Sequence, residues 1–315
     1  MIPHLGISLR LANTAWPALR EHALLADRLG YDSLWTSDHF LARKSDGGGP
    51  VFEAWQTLAA YAALTTRVRV GVLVSGNTYR HPAIVANMAV TLDHITDGRA
   101  ILGLGAAWFA LEHHAYGIPF DPPGVRVAKL AEAAAVTRAL LDTPRTTFHG
   151  RYYHLEDAPC EPKPVQPHLP LMIGGGGERG TLRVVARYAD YWNGSGTPEV
   201  IAHKLMVLRA HCQAVGRDAR AITPTVAFVV IIRDAPEAIT ARVAEIEAAN
   251  PDTQMALGPC GTVAQVVEGM AAYWRVGVRG FVVDMPAPFD RETLERLIEE
   301  VRPRLAACIS NEVAG

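Results

Sequence analysis

The chain has 315 residues, of which 49% are hydrophobic and 20% are charged, and its formal net charge is −2. Without a basic excess it lacks the electrostatic footprint of a nucleic-acid-binding protein. No run reaches the about 18 to 20 uninterrupted apolar residues of a membrane helix, so we expect no membrane partner.

The cysteines and histidines also carry little sign of special chemistry. The four cysteines lie far apart without a C-x-x-C pair, and no signal-peptide pattern precedes the first apolar run, which favours a cytoplasmic protein. His113 and His114 are adjacent, so on a helix they would point about 100° apart, and no pair at i, i+4 spacing supports them. We therefore predict no metal site.

In chain order, short apolar runs alternate with amphipathic stretches of about ten to fifteen residues, the pattern of repeated βα units. The sequence predicts eight strands, over residues 4–9, 31–37, 68–75, 100–105, 170–174, 190–195, 222–231 and 280–285. It predicts helices over residues 16–29, 52–64, 83–95, 125–141, 179–188, 198–215, 263–274 and 291–305.

Three segments, "ADRLGYDSLWTS", "VARYADYWNGS" and "YWRVGVRGFVVD", each end a helix and enter a buried strand after a short turn. Eight such units favour a closed parallel (β/α)8 TIM barrel over an open doubly wound sheet, and one domain over residues 1–315. The proline- and aromatic-rich tract 142–170 is too long for an ordinary connection. We interpret it as an insertion or lid after the fourth βα unit, with a small hairpin in "TTFHGRYYHL", outside the barrel and beside its mouth.

A parallel barrel carries its active site at the carboxyl ends of its strands. Small and polar residues follow five of the predicted strands there: Ser37, Asp38 and His39; Ser75, Gly76 and Asn77; Gly105, Ala106, Ala107 and Trp108; Gly174 to Arg179; and Asn193, Gly194 and Ser195. His39 is a candidate general acid or base, because an imidazole exchanges a proton near neutral pH. Alternatively, it is a rim histidine held by Asp38 or by backbone, and Asp38 either orients the imidazole or caps the next segment.

The glycine run "GGGGERG" at 174–180 has three interpretations. Gly175, Gly177 and Gly180 fit the dinucleotide-binding pattern G-x-G-x-x-G, but four βα units precede it and the acidic residue expected about 20 positions later is absent. Bare amides at a helix start, together with Arg179, favour an anion cradle for a cofactor phosphate. A purely structural turn is the third interpretation. In the third strand, Leu73 to Ser75 either form a bulge against a planar ring or continue a plain strand.

These residues match a known family. The chain resembles the luciferase-like monooxygenase superfamily and, within it, the deazaflavin-dependent oxidoreductases that use coenzyme F420. The likeness is carried by "YDSLWTSDHF" and by residues 68–120, 148–193 and 277–301, most of the chain.

The resemblance implies a (β/α)8 barrel with a deazaflavin or flavin in its mouth. Asp38 and His39 match the pair that ends the family's second strand, with His39 in the proton-handling position. Cofactor-binding positions of the family match Leu73, Val74 and Ser75 at the strand-three bulge, often a cis peptide; Gly105, Ala106 and Ala107 in the strand-four loop; and Gly174, Gly175, Gly176, Gly177, Glu178 and Arg179 at the phosphate-binding turn. Relatives often read G-A-G-W in the strand-four loop, so Ala107 departs from the usual glycine.

The implied chemistry is hydride transfer between C5 of F420 and a small organic substrate, with His39 giving or taking the proton. Trp108, Phe109, Tyr152 and Tyr153 are candidates for excluding water from the pocket. An alternative keeps the fold but uses FMN and dioxygen, as a monooxygenase fed by a separate reductase, and a second alternative is a non-catalytic flavin-binding protein. The resemblance also implies a homodimer.

Overall fold

Eight parallel strands close into a barrel in the computed structural model, which describes residues 3–42, 47–251 and 255–314, and the side chains only as far as residue 310. In ring order the strands are β1 (His4–Leu9), β2 (Ser33–Thr36), β3 (Arg69–Val72), β5 (Ala100–Gly105), β8 (Leu171–Gly174), β9 (Tyr191–Gly194), β10 (Thr223–Ile232) and β12 (Gly280–Met285). β12 pairs with β1 and closes the ring. The predicted fold class is confirmed, and the closed ring excludes the open dinucleotide-binding sheet.

Helices surround the barrel and connect its strands. They are α1 (Trp16–Leu29), α2 (Ala54–Leu64), α3 (Pro82–Ile95), α4 (Ala110–Ala115), α5 (Pro123–Asp142), α6 (Thr181–Tyr188), α7 (Pro198–Ala214), α8 (Pro236–Ala249), α9 (Val263–Val276), α10 (Arg291–Arg296) and α11 (Arg302–Ala314). Gly30 ends α1 at φ 85° and Gly277 ends α9 at φ 115°. Glycine adopts this left-handed conformation readily, and it ends the helix in two of the three predicted segments that pass from a helix into a strand. Within the described residues, no helix is both long and apolar enough to cross a bilayer.

The barrel interior is filled by side chains rather than open. Trp35, Ile101, Met172 and Val282 form a buried cluster there, and Leu73 and Val74 pack against it from the carboxyl end. A Cβ on Gly71 would lie 2.5 Å from the indole of Trp35, so that glycine makes room for the ring. The cluster forms the floor on which the residues at the barrel mouth rest.

Short additional strands lie around the ring. β4 (Ser75–Gly76) follows β3 and pairs with β5, and β11 (Leu257–Gly261) pairs with β10 outside the barrel. β6 (Arg145–His149) and β7 (His154–Pro159) form the predicted antiparallel hairpin. The sequence prediction missed β11, α4 and α8.

The hairpin lies outside the barrel against α5. Glu132 of α5 accepts hydrogen bonds from the backbone nitrogens of Arg151, Tyr152 and Tyr153. Beyond the hairpin, Gln166 bonds to Asp93 and to the carbonyl of Ala100, the first residue of β5. The insertion therefore returns to the amino ends of the strands before β8 begins.

Candidate functional site

A cavity of about 380 Å³ opens at the carboxyl ends of the strands. Eighteen residues line it: Ser37, Asp38, His39, Leu73, Val74, Gly76, Tyr79, Gly105, Ala106, Ala107, Trp108, Pro123, Arg126, Val127, Gly174, Gly175, Thr181 and Asn193. The cavity thus brings His39 and the start of the glycine run to the same end of the barrel. Tyr152 and Tyr153 are not among the lining residues, so the structure does not support their expected role in excluding water.

The His39 side chain is anchored by a carboxylate that the sequence prediction missed. Its Nδ1 lies 3.0 Å from Oε1 of Glu112 on α4, and its ring packs edge-on against Trp108 and Phe109. No described residue bonds to Nε2 of His39. The carboxylate that bonds to this imidazole is Glu112, and no hydrogen bond joins Asp38 to it.

Glu112 is fully buried and accepts several hydrogen bonds. Besides His39, its Oε1 accepts from the backbone nitrogens of Phe40 and Leu41, at 3.0 and 3.2 Å, and its Oε2 accepts from the hydroxyl of Tyr79 at 2.5 Å. Burial acts to raise the pKa of Glu112, but the bonds and charge of His39, with those from Tyr79 and Leu41, outweigh it and leave the pKa lowered. The ionised carboxylate therefore fixes the orientation of the His39 ring through Nδ1.

Asp38 has a different set of partners. Its Oδ2 accepts from the hydroxyl of Ser75 at 2.9 Å, the backbone nitrogen of Gly76 at 3.1 Å and the guanidinium of Arg80 at 2.8 Å. It thereby joins the end of β2 to β4. Its Oδ1 is buried and has no partner among the described residues. Ser75 is fully buried behind Asp38 and is not among the residues that line the cavity, and its expected place against the cofactor stays a prediction.

The peptide between Leu73 and Val74, at the position of the expected strand-three bulge, is cis. The Val74 side chain projects toward three glycines. A Cβ on Gly103, Gly105 or Gly174 would lie 3.0, 2.6 or 2.8 Å from a Val74 methyl group. These glycines therefore have a packing role, since they admit a branched side chain at the cavity floor. Beside them in the lining are Ala106 and Ala107, the latter at φ 55°.

The rest of the glycine run leaves the cavity. Gly175 lines it and has φ 117°, a conformation that glycine adopts readily. Gly176 and Gly177 lie outside the lining: a Cβ on Gly176 would meet Nζ of Lys204 at 2.9 Å, and one on Gly177 would meet the hydroxyl of Thr181 at 2.9 Å. The amide nitrogens of Gly176 and Gly177 donate to no described residue.

The expected cation of this turn, Arg179, does not face the cavity. It is exposed, as is Glu178, which pairs with His203 at 3.3 Å. Arg126, on the first turn of α5, lines the cavity instead. Its guanidinium donates to the carbonyl of Asp121 at 2.8 Å and lies over the ring of Phe120, while its buried Nε has no partner among the described residues.

Comparison with known protein families shows which family this chain belongs to. The family model described as luciferase-like monooxygenase matches residues 4–280. The chain belongs to this family.

Curated relatives of this luciferase-like chain include F420-dependent glucose-6-phosphate dehydrogenases. The enzyme of Kineococcus radiotolerans is 36% identical over 213 residues, 66% of this chain and 62% of that protein. That of Amycolatopsis mediterranei is 37% identical over 173 residues, 54% of this chain and 50% of that protein. The chain therefore spans less than two thirds of the length of these relatives.

Solved structures share the fold at low identity. An F420-dependent secondary alcohol dehydrogenase in complex with an F420-acetone adduct has a TM-score of 0.81 at 19% identity, with 97% of this chain and 99% of that chain covered. A riboflavin lyase with modified FMN has a TM-score of 0.82 at 15% identity, with 98% and 92% covered. These likenesses support the luciferase-like barrel.

The chemistry of this luciferase-like site is that of acid–base residues around a cavity. The lining includes the anchored imidazole of His39, the carboxylate residue Asp38 and the guanidinium residue Arg126, together with small residues. No group of three or more His, Cys, Asp or Glu side chains suited to a metal ion occurs within the described residues. The arrangement can bind an anionic molecule and exchange a proton with it.

Proposed function

We propose that this chain is an oxidoreductase that transfers a hydride between coenzyme F420 and a small organic substrate, with His39 exchanging the accompanying proton. One observation carries the proposal: the His39 imidazole, anchored through Nδ1 by the buried carboxylate of Glu112, lines the same cavity as Gly174 and Gly175. The curated relatives, which are named F420-dependent dehydrogenases, support the choice of cofactor.

The residues of the cavity fit a deazaflavin. The volume of the cavity, about 380 Å³, lies within the range of about 300 to 1,000 Å³ that is typical of cofactor sites. The floor at Val74 and the small residues of the strand-four loop leave room for a flat ring, and the unpartnered Oδ1 of Asp38 suits a ring N–H. Arg126 in the lining, and the free amides of Gly176 and Gly177 just beyond it, suit an anionic tail. When bound, the deazaflavin would supply two-electron hydride chemistry at its C5.

The hydrogen bond to Glu112 assigns roles to the two ring nitrogens of His39. An ionised carboxylate accepts hydrogen bonds and donates none, so Nδ1 of His39 carries the hydrogen in this bond. Nε2 is then an acceptor in the neutral ring and a donor in the protonated ring, and it is the nitrogen that would exchange a proton with substrate. Positioned acid–base groups of this kind contribute about 10² to 10⁴ in rate.

A cofactor titration tests the first half of the proposal. Purified protein is titrated with F420 and with FMN, each oxidised and reduced, and binding is followed by absorbance and fluorescence. We expect tight binding of F420. Tight binding of FMN alone would instead favour the monooxygenase that uses dioxygen.

A histidine substitution tests the second half. His39→Gln should lower turnover by about 100-fold or more while the Kd for F420 changes by less than about twofold. The first substrate to assay is glucose 6-phosphate, because it is in the names of the curated relatives. His149→Gln, at an exposed histidine paired with Glu156 at 2.8 Å, is the matched control. An unchanged rate in His39→Gln would remove His39 from the mechanism, and F420 binding without any turnover would favour a non-catalytic binding protein.

The remaining expectations stay predictions. They concern the homodimer, the separate reductase, the single domain, the lid role of residues 142–170 and the cytoplasmic location. We also propose that Asp38 binds the cofactor ring rather than the imidazole, since Asp38 lines the cavity, its buried Oδ1 has no partner among the described residues and no bond joins it to His39.

A further inference from the structure

A second, smaller cavity adjoins the first on the side of β1. Its volume is about 30 Å³, and Arg10, Ser37, His39 and Asn250 provide its polar lining. We call it the side pocket. Ser37 and His39 line both cavities. A molecule in the main cavity could therefore extend one small group past the His39 imidazole into the side pocket.

Arg10 is held rigidly at the wall of the side pocket. It follows the end of β1, and its side chain is 9% exposed. Its Nε and Nη2 donate to the carboxylate of Asp284 in β12, at 2.5 to 3.0 Å. Its third nitrogen, Nη1, is buried and has no partner among the described residues. A buried donor without an acceptor is unfavourable, so an oxygen brought by a ligand would satisfy it.

The other polar residues narrow what the side pocket can bind. The Asn250 amide already donates to the carbonyl of Ile246 at 2.9 Å and accepts from Asn13. The Ser37 hydroxyl has no hydrogen bond with any described residue. Apart from Nε2 of the His39 imidazole, the side-chain donors left for a ligand are therefore Nη1 of Arg10 and the hydroxyl of Ser37.

Charge and size favour an uncharged group. Asp284 already balances the charge of Arg10, and Glu112 lies behind His39. A carboxylate or phosphate would bring a further anion beside these two, and the described lining adds no second arginine or lysine. A volume of about 30 Å³ also admits only two or three water-sized groups, since each needs about 10 to 15 Å³.

We infer that the side pocket takes a carbonyl or hydroxyl oxygen of the substrate, with Nη1 of Arg10 as its donor. Arg10 is thus a specificity-determining residue that favours uncharged oxygen groups over anionic groups beside His39. The inference rests on the proposed function for its statement that the bound molecule is the substrate. The binding of an uncharged oxygen in the pocket can be tested separately.

The test compares two probes of nearly equal shape, acetone and acetate, by saturation-transfer NMR on the complex with F420. Wild-type protein should bind acetone at least about tenfold more tightly than acetate. Arg10→Lys keeps a positive charge beside Asp284 but removes the planar guanidinium with its several N–H donors. This substitution should weaken acetone binding about tenfold or more. Arg145→Lys, at an exposed arginine that pairs with Asp157 at 2.6 Å, is the matched control and should change neither value.

Several results would overturn the inference: no acetone binding to wild-type protein, acetate binding as tight as acetone, or unchanged acetone binding in Arg10→Lys. Melting temperature and the Kd for F420 show whether Arg10→Lys has retained its fold, and Ser37→Ala, which leaves the pair with Asp284 untouched, should weaken acetone binding about threefold. A failure of F420 to bind would overturn the proposed function alone, because the same titration without cofactor still tests the side pocket.

Discussion

Replacing Glu112 with glutamine keeps the shape of the side chain and removes one buried negative charge. The four hydrogen bonds that Glu112 accepts, at 2.5 to 3.2 Å, can persist, because an amide oxygen accepts from His39, Phe40 and Leu41 and the Tyr79 hydroxyl can accept from the amide nitrogen. Each bond then weakens by about 1 kcal/mol, the difference between a charged and a neutral acceptor. A neutral amide costs less to bury than a carboxylate, which offsets part of this weakening. We therefore expect the free energy of unfolding to fall by about 3 kcal/mol.

A loss of that size is measurable in a chain of 315 residues. At an unfolding entropy of about 2.1 cal/mol/K per residue, it lowers the melting temperature by about 4 to 5 °C. The matched control is Glu156→Gln, which removes a carboxylate that is 77% exposed and paired with His149. Exposed pairs contribute about 0 to 1 kcal/mol, so the control should melt within about 1 °C of wild type.

The same substitution has a pH signature with a definite sign. The pKa of Glu112 lies below its ordinary value of about 4.5, so the carboxylate stabilises the folded state above that pH and loses this effect as pH falls through the lowered pKa. The difference in melting temperature between wild type and Glu112→Gln should be fully present at pH 6 to 7 and should become smaller below about pH 4.5. Thermal melts from pH 7 to 3.5 check this. A variant that melts like wild type at pH 7, with an unshifted pH–rate profile, would refute the anchoring role of Glu112.

Other substitutions test packing and hydrogen bonding. Gly103→Ala should prevent normal folding, because its Cβ would lie 2.0 Å from the carbonyl oxygen of Val72. Gly124→Ala has open space around its Cβ and a helical position, so it should leave stability unchanged or raise it by up to about 1 kcal/mol. Circular dichroism melts of the two variants check this, and equal melting curves would contradict it. Burial acts to raise the pKa of Asp27, but hydrogen bonds from three backbone N–H groups outweigh burial and leave the pKa lowered. Asp27→Asn should therefore lower the free energy of unfolding by about 1 to 3 kcal/mol at pH 7, and the difference from wild type should narrow below about pH 3.8. Denaturant titrations at both pH values that give a constant difference would contradict this. Gly176→Ala should weaken F420 binding more than it lowers the melting temperature, and loss of stability alone would favour a structural turn.

The barrel could be predicted because its strands are buried on both faces. Such strands read as short continuous apolar runs, and "AILGLG" and "GFVVDM" begin and end within the predicted bounds. β11 was missed for the converse reason: its sequence "LGPCG" has two glycines and a proline, residues that disfavour strands, and it forms only by pairing with β10. Tertiary context thus created an element that local sequence opposes.

The candidate site could be predicted only where neighbours in sequence are neighbours in space. Asp38 and His39 follow a strand, and topology alone places them at the barrel mouth. Glu112 lies 73 positions from His39 on a helix of six residues without a side-chain cap, and nothing local announces their contact. Arg126 likewise belongs to the outer helix α5, whose first turn lies at the cavity. Their participation depends on how separate elements pack.

The glycine run at 174–177 shows why one sequence pattern supported several interpretations. Anion binding and tight packing both require a backbone without side chains, so composition alone does not separate them. In the structure, packing or a positive φ accounts for three of the four glycines. At Gly176 the neighbouring atom is the mobile end of Lys204, which can move aside at little cost. Packing therefore demands a glycine least at Gly176. A loss of cofactor affinity in Gly176→Ala at unchanged stability would come from a Cβ that blocks the approach to the free amide.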